Sequence, residues 1–284
     1  MSVSQSEKAK KFQALHAGPK AFIIPNPWDA GSARILEGLG FEALATTSAG
    51  FAFSLGRRDG QVTREEALEH CRAIAEASDL PVAADLENCF GDESKTVAET
   101  IRLAGSTGIV GGSVEDARSD GKIYDHAHAV ERVAAAVEAA RALPFPFMLT
   151  ARAENFLHER ANLDDTIRRL QAFAAAGADV LYAPGLTSLE AIRTVCAAVA
   201  PKPVNVLAGM KGANFPLAEL EAAGARRISL GGALARAALG ALMGAGREMK
   251  EKGTFAFIDE AAPSAEVSAF MGTRRRKASR RGND

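Results

Sequence analysis

The sequence predicts a (β/α)8 barrel of the TIM type, because short apolar strands and longer helices alternate eight times along the 284 residues. The alternation extends over about 230 residues, which is the usual size of such a barrel. Glycines end several predicted helices just before the next strand, as at Gly40, Gly177 and Gly224. A doubly wound open sheet is the alternative, but no GxGxxG sequence follows the first strand.

Each predicted strand is a short apolar run bounded by Pro, Gly or polar residues. The strands are expected at 21–25, 43–47, 81–84, 108–114, 145–150, 178–183, 203–207 and 227–230. The helices between and after them are expected at 30–39, 64–78, 94–104, 125–142, 163–176, 187–199, 216–223 and 233–252. Thr63 and Glu66 form a capping-box signal at the start of the second of these helices. Residues 48–60 are expected to form a long loop.

The ends of the chain complete the predicted organisation, which is one barrel domain over residues 1–284. An amphipathic helix is expected within residues 1–18, with Phe12 and Leu15 on its core face. A C-terminal helical region is expected at about 233–271, including a further short helix at 259–271. The basic segment 273–284 is predicted to be a disordered, solvated tail.

Composition excludes several classes of function. The net charge is −1, so no overall field attracts the protein to nucleic acid or to a membrane surface. No apolar run approaches the roughly 18 residues of a membrane span, and the N-terminus lacks the apolar core of a signal peptide. Three widely spaced cysteines do not form a disulfide framework, so a cytoplasmic location is expected.

Acidic residues follow two neighbouring predicted strands. Asp85 and Glu87 follow the third strand and Glu115 follows the fourth. The carboxyl ends of barrel strands carry the catalytic groups, so these side chains are expected to meet at one mouth. Oxygen ligands suit a hard cation, which predicts a Mg²⁺ site, with Mn²⁺ as an alternative. A solvated acidic turn is the simpler interpretation of the Asp85–Glu87 segment alone.

A substrate anion is predicted beside this metal site. Arg152 follows the fifth strand and offers a bidentate fork to a carboxylate. Ser48, with the backbone N–H groups of Ala49 and Gly50, is a candidate anion nest. A divalent ion beside these groups would chelate a 2-oxo acid and stabilise the enolate formed when a bond at C3 breaks.

Seven motifs in this order resemble the isocitrate lyase/phosphoenolpyruvate mutase superfamily across nearly the whole chain. They are IIPNPWDAGSARI, TTSAGFAFSLGRRDG, ADLENCFGD, GGSVEDA, TARAENF, LYAPGL and PVNVL. The resemblance implies a modified (β/α)8 barrel, Mg²⁺ dependence and 2-oxo-acid or enolate chemistry. It also implies homo-oligomers, dimers or tetramers, in which the last barrel helix is exchanged between subunits.

The resemblance also implies roles for individual residues. Asp85 resembles the direct metal ligand, and Glu87 and Glu115 resemble ligands that bind mostly through water. Ser48 with its neighbours and Arg152 resemble contacts to the substrate carboxylate. Asp59 resembles an acid linked to the metal and its water, and Asn205 resembles a further substrate contact.

The sequence departs from the superfamily pattern after the fourth strand. Isocitrate and methylisocitrate lyases carry a cysteine-containing gating loop there, whereas residues 117–129 read ARSDGKIYDHAHA without a cysteine. Lys122 in this loop is a candidate proton donor to the enolate, with a solvated loop lysine as the alternative. Cys89 is interpreted as a small residue in a tight turn, because no histidine is placed to activate it as a nucleophile.

The expected function is a Mg²⁺-dependent lyase that cleaves or forms a C–C bond in a 2-oxo acid or its precursor through a metal-stabilised enolate. An oxaloacetate-like or 2-methylmalate-like acid is the expected substrate. One alternative is a phosphoenolpyruvate mutase or phosphonopyruvate hydrolase. The other is a 2-oxo-acid-binding protein with little turnover, suggested by the altered loop.

Overall fold

The computed structural model describes residues 3–158 and 160–272 and confirms the predicted (β/α)8 barrel. All strand pairs are parallel, and the order around the sheet is β1-β8-β7-β6-β5-β4-β3-β2. A hydrogen bond from Ala45 N to Pro25 O, 3.1 Å long, joins the first and second strands and closes the ring. The strands are β1 (Phe22–Ile24), β2 (Leu44–Ala45), β3 (Val82–Ala84), β4 (Gly111–Glu115), β5 (Met148–Arg152), β6 (Val180–Tyr182), β7 (Val204–Leu207) and β8 (Arg227–Ser229).

The helices surround the barrel and close its lower end. They are α1 (Gln5–Ala17), α2 (Ala30–Gly38), α3 (Ser48–Ser54), α4 (Arg64–Ala77), α5 (Ser94–Gly105), α6 (His126–Arg141), α7 (Leu163–Ala175), α8 (Leu189–Val199), α9 (Leu217–Ala222), α10 (Ala233–Lys252) and α11 (Ser264–Met271), with a 3₁₀ helix at Ala256–Glu260. Thr63 and Glu66 form the predicted capping box of α4. No helix within the described residues is both long and apolar enough to cross a membrane.

Helix α1 seals the amino-terminal end of the barrel. Its Phe12 is fully buried and packs in one cluster with Phe22, Val110 and Met148 from three strands. Burying a phenylalanine in this way contributes about 1.5–3 kcal/mol relative to leaving it exposed. The barrel is therefore filled from below, and open space remains only toward the carboxyl ends of the strands.

Two strands begin three residues later than the sequence suggests. The fifth strand was expected at 145–150, but β5 is Met148–Arg152. Pro144 and Pro146 lack the N–H that a ladder needs, and pairing starts where Met148 N donates to Val110 O at 3.0 Å. The fourth strand is displaced in the same direction. Both shifts bring Glu115 and Arg152 into the strands themselves, directly paired in register.

Residues 48–54 form a helix, so the prediction of a continuous loop over 48–60 was wrong. Thr47 is the N-cap, and its Oγ1 accepts a hydrogen bond from Gly50 N at 3.2 Å. A Cβ on Gly50 would lie only 2.6 Å from Thr47 Cγ2 and 3.0 Å from Trp28 Cβ. The glycine that suggested a loop is thus required by the close packing of this helix.

The C-terminal region leaves the barrel. Helix α10 has few contacts with the barrel and exposes Leu242 and Met243. Helix α11 returns to pack on α2, where the Phe270 ring lies against Gly38. The short helix expected at 259–271 is divided between the 3₁₀ helix and α11, with Pro263 as the N-cap of α11. The predicted basic tail at 273–284 lies outside the described residues.

Candidate active site

An inner cavity of about 220 Å³ opens at the carboxyl ends of the strands. A wider vestibule of about 310 Å³ lies above it and shares four of its lining residues, which are Ser48, Asp59, Glu115 and Arg152. Of the predicted site residues, the inner cavity is lined by Ser48, Ala49, Asp59, Asp85, Glu115, Arg152 and Asn205. Glu87 lines the vestibule but not the inner cavity.

Arg152 joins three carboxylates at the junction of these two spaces. Its Nη1 lies 3.1 Å from Asp85 Oδ1 and 2.8 Å from Glu115 Oε1, and its Nε lies 2.7 Å from Glu154 Oε1. Burial raises the pKa of Glu115, and the charge of Arg152 opposes this effect. A single guanidinium thus holds together side chains that follow three different strands.

Glu154 was not predicted as a site residue, although it follows Arg152 by two positions in the ARAEN motif. It is almost fully buried, and its backbone N donates to Asp116 Oδ1 at 2.8 Å. Asp116 in turn forms a buried ion pair with Arg169 of α7 at 3.0 Å. This network fixes the position of Glu154 and, through it, of the Arg152 guanidinium.

The backbone leaves the strand conformation after β3, and this change places Glu87 at the vestibule. Strand alternation predicted that Asp85 and Glu87 point to the same side, but β3 ends at Ala84. Glu87, Cys89 and Phe90 have φ of 50°, 60° and 60°, in the left-handed region that non-glycine residues rarely adopt. Arg132 of α6 holds this turn by donating to three of its carbonyl oxygens.

Negative charge accumulates at the mouth. Burial, and then the charges of Asp85 and Asp59, raise the pKa of Glu87 to about 8. Burial and the charge of Asp85 also raise the pKa of Asp59, and the nearby Ser48 side chain partly opposes this increase. These acids repel one another, because Arg152 alone does not neutralise them.

Backbone N–H groups at the candidate anion nest are already hydrogen-bonded to other groups of the protein. Ser48 N donates to Asp85 Oδ2 at 3.1 Å, and Gly50 N donates to the Thr47 cap. Ser48 and Ala49 line the inner cavity, whereas Gly50 does not. The main effect of this turn is to hold the Asp85 carboxylate, whose own backbone N donates to Thr46 Oγ1 at 2.9 Å.

A second set of polar side chains lines the opposite wall of the cavity, and most of them were not predicted from the sequence. Asn205 of β7, Tyr182 of β6, and Arg227 and Ser229 of β8 line the inner cavity. Arg227 Nε donates to Asn205 Oδ1 at 2.8 Å, and its Nη2 donates to Thr150 Oγ1 at 3.0 Å. In β8, Arg227 and Ser229 flank the apolar Ile228, and this alternation of polar and apolar residues was the available signal.

The structure does not bring Lys122 to the cavity. Residues 117–123 fold back as a short hairpin, with Ala117 bridged to Ile123. The Lys122 side chain is 79% exposed, and its ammonium lies 3.8 Å from Asp120. A catalytic role for Lys122 stays a prediction that this conformation does not support. Cys89 is fully buried, and burial raises the pKa of its thiol to about 12, so the thiol is inert in this position.

The acidic group fits a hard divalent cation in its chemistry, since several crowded carboxylates offer only oxygen donors. The raised pKa of Glu87 indicates that a further positive charge would stabilise the group. In this conformation no three His, Cys, Asp or Glu side chains among the described residues are grouped to hold a metal ion. Arg152 Nη1 lies between Asp85 and Glu115, so the guanidinium acts as their cation here.

Comparison with known proteins identifies the family to which the chain belongs. The family model for phosphoenolpyruvate phosphomutase matches residues 12–250. The chain belongs to the phosphoenolpyruvate phosphomutase family. Its relatives include lyases of the isocitrate lyase/phosphoenolpyruvate mutase superfamily, and the protein is therefore an enzyme of that superfamily with lyase-type chemistry.

Three relatives illustrate the range of this family. A structure from Burkholderia cenocepacia, provisionally assigned as a lyase/mutase, is 57% identical, with a TM-score of 0.92 over 95% of this chain and 97% of that chain. The 2,3-dimethylmalate lyase of Eubacterium barkeri is 30% identical over 76% of this chain and 77% of its own length. Oxaloacetate acetylhydrolase with bound oxalate is 26% identical, with a TM-score of 0.85 over 94% of each chain.

Proposed function

We propose that this family member is a Mg²⁺-dependent lyase that cleaves or forms a C–C bond in a 2-oxo acid or its precursor. The observation that carries the proposal is the meeting of Asp85, Glu115 and Glu154 around Arg152 at the mouth of a small cavity. The cavity volume of about 220 Å³ suits a compact acid of a few carbon atoms. The named relatives include enzymes of dimethylmalate, methylisocitrate and oxaloacetate.

Asp85, Glu87 and Glu115 are the residues that would hold the ion. Bound there, a divalent cation supplies positive charge that stabilises an enolate as the C–C bond breaks. Arg152 receives the substrate carboxylate, because its planar fork faces the cavity, is only 12% exposed and is fixed in place by Glu154. Asp59 lies on the mouth side with a raised pKa, where it can hold a proton near the vestibule. Ser48, Ala49 and Asn205 line the remaining walls against the substrate.

The exposed face of α10 supports the further proposal that the enzyme is a homo-oligomer formed by helix exchange. Leu242 and Met243 are 66% and 53% exposed on a helix that makes few contacts with its own barrel. A second copy of the chain, related by symmetry, would cover these side chains with the same face of its own helix.

Product analysis tests the reaction. The protein with Mg²⁺ is incubated separately with oxaloacetate, methylisocitrate and phosphonopyruvate, and the products are identified by NMR. Pyruvate from either of the first two acids is the expected result. Turnover of phosphonopyruvate alone would replace this proposal with the phosphoenolpyruvate mutase or phosphonopyruvate hydrolase alternative.

Calorimetry of Mg²⁺-dependent oxalate binding tests the proposed ligands without requiring turnover. Asp85→Ala is expected to abolish the binding, because Asp85 is the proposed direct ligand. Asp259→Ala, in the exposed 3₁₀ helix, is the matched control and should bind oxalate as the unchanged protein does. Equal binding by all three proteins would remove Asp85 from this role.

A further inference from the structure

Arg227 is a buried cation that lines the inner cavity, and no carboxylate among residues 3–158 and 160–272 forms an ion pair with it. Two of its hydrogen-bond partners are neutral side chains. Its Nε donates to Asn205 Oδ1 at 2.8 Å, and its Nη2 donates to Thr150 Oγ1 at 3.0 Å. A buried charge without a counter-charge is costly. An anion in the cavity would therefore be stabilised beside this guanidinium.

The third neighbour of Arg227 is a neutral histidine. His16 Nε2 lies 3.4 Å from Arg227 Nη1. His16 Nδ1 lies 2.8 Å from Phe12 O, which can only accept, so Nδ1 carries the ring hydrogen and Nε2 faces Arg227 as an acceptor. An arginine has five N–H donors, and three of them have acceptors among the described residues. One N–H on each terminal nitrogen of Arg227 is thus left for a ligand.

The Arg227 guanidinium lies deeper in the cavity than the mouth. Thr150, which accepts from it, precedes Arg152 by two positions on β5, so the side chains of Thr150 and Arg152 face the same space. Two residues of a strand span about 6.6 Å. The cavity of about 220 Å³ is therefore lined by two arginines that contact it at different depths.

The two arginines differ in how their charge is compensated. Arg152 at the mouth pairs with Asp85, Glu115 and Glu154, whereas Arg227 has only neutral partners within the described residues. Burial, and to a smaller extent the charge of Arg152, lower the pKa of Arg227 to about 10, so the guanidinium is still charged at neutral pH. The deeper end of the cavity therefore has an excess of positive charge.

We propose that Arg227 is a specificity-determining residue that binds the second carboxylate of a dicarboxylic substrate, while the first carboxylate is bound at the mouth. The proposal rests on the proposed function, because it takes this cavity to be the substrate site. It narrows the substrate class from 2-oxo acids in general to short dicarboxylic acids. A monocarboxylic acid would leave the charge of Arg227 without a counter-charge.

Calorimetry with a matched pair of acids tests this role. The probes are 2-oxoglutarate and 2-oxopentanoate, which differ only in a terminal carboxylate or methyl group. Neither acid carries a group at C3 that can leave as an enolate forms, so binding is measured without turnover. With Mg²⁺, the unchanged protein should bind 2-oxoglutarate roughly ten- to a hundredfold more tightly, the usual range for hydrogen bonds to a charged group. Equal affinities for the two acids would overturn the proposal.

Arg227→Met should reduce this preference to nearly one, because it removes the charge and keeps an unbranched side chain. Oxalate, which is too short to extend from the mouth to Arg227, should bind to the variant as it binds to the unchanged protein. Arg226→Met is the matched control, since Arg226 is the adjacent arginine and does not line the cavity, and it should keep the preference. An undiminished preference in Arg227→Met, or an equal loss of oxalate binding, would overturn the role in specificity.

Arg227→Lys decides the question if Arg227→Met does not fold, which circular dichroism shows. Lysine keeps the charge but has one donor nitrogen in place of the fork, so the preference for 2-oxoglutarate should fall severalfold. A preference equal to that of the unchanged protein would count against Arg227 as the contact.

The same measurements separate this inference from the proposed function. If the unchanged protein binds neither oxalate nor 2-oxoglutarate with Mg²⁺, the proposed function fails, and the role of Arg227 fails with it. If the protein binds oxalate but does not distinguish 2-oxoglutarate from 2-oxopentanoate, only the role of Arg227 fails.

Discussion

At the residue scale, Arg152 has two roles that the sequence alone does not distinguish. It was predicted as the group that receives the substrate, and the structure shows that it also compensates three carboxylates, including the buried Glu154. The position of Arg152 after the fifth strand was readable from the motif. Its ion pair with Glu154 could not be predicted, because a separation of two residues in the sequence does not show which guanidinium nitrogen faces which carboxylate.

Arg152→Met is expected to lower the free energy of unfolding by about 3–5 kcal/mol, because it leaves the buried Glu154 carboxylate without its cation. Urea denaturation followed by circular dichroism measures the change. Arg102→Met removes an exposed, solvent-screened pair with Glu99 and should lower the free energy of unfolding far less than Arg152→Met. Similar losses in the two variants would show that the Arg152 cluster does not hold the fold together.

His16 should make the protein less stable in mild acid. Its pKa is about 3 in the folded protein and about 6.5 when unfolded, so the unfolded chain binds the extra proton first. The stability contributed by the neutral ring is complete above pH 6.5 and is lost as the pH falls toward 3. Between pH 7 and pH 5 this group alone removes about 2 kcal/mol.

The measurement is the change in unfolding free energy between pH 7 and pH 5, compared with the same change in His16→Gln. Glutamine cannot titrate, so the variant should lose about 2 kcal/mol less over this interval. Lys10→Gln, on the exposed side of the same helix, should behave like the unchanged protein. An identical pH dependence in His16→Gln would show that His16 is not buried as a neutral ring.

At the element scale, the sequence located every strand of the barrel but placed their boundaries less well. Apolar runs in the sequence indicate which segments are buried. The limits of a strand depend on where its hydrogen bonds to the neighbouring strands begin, as at Met148, two residues after Pro146. Helix α3 was missed because its glycine suggested a turn. The tight turn at Cys89 was predicted, and its left-handed φ of 60° agrees with that prediction. The contact from Arg132 that holds the turn was not predicted, because Arg132 lies on a distant helix.

Thr47→Val tests the short helix α3 on which one side of the site depends. The substitution keeps the shape of the side chain but removes the oxygen that accepts from Gly50 N. The unfolding free energy should fall by about 0.5–2 kcal/mol, the usual value of an N-cap. Thr47→Ser, which keeps the oxygen, is the control and should retain the cap contribution. A loss confined to the serine variant would assign the effect to the lost methyl group instead.

At the scale of the whole molecule, the resemblance to a family predicted more than the residues did. The barrel and the position of its mouth were predicted from the alternation of strands and helices. The exchange of α10 between subunits was predicted only from the resemblance. The structure adds the exposed apolar side chains that such an exchange would cover. On the polar wall, Asn205 was predicted from the resemblance, whereas Tyr182 and Arg227 were not among the predicted site residues.

Leu242→Glu is expected to lower the molecular mass in solution, since a charge would be buried at the proposed contact between copies. Light scattering coupled to size exclusion measures the mass. Lys252→Glu, at the end of the same helix, changes the charge without removing an apolar side chain and should leave the mass unchanged. A monomeric mass for the unchanged protein would contradict the helix-exchange proposal directly.

Helix α1 has a kinetic consequence for the whole enzyme. Phe12 closes the barrel from below, so within the described residues the inner cavity opens toward the vestibule, with which it shares four lining residues. When one acid is split into two fragments, the fragment nearer the mouth must depart before the deeper one. The deeper fragment should therefore inhibit competitively against the substrate, while the outer fragment should inhibit with a different pattern.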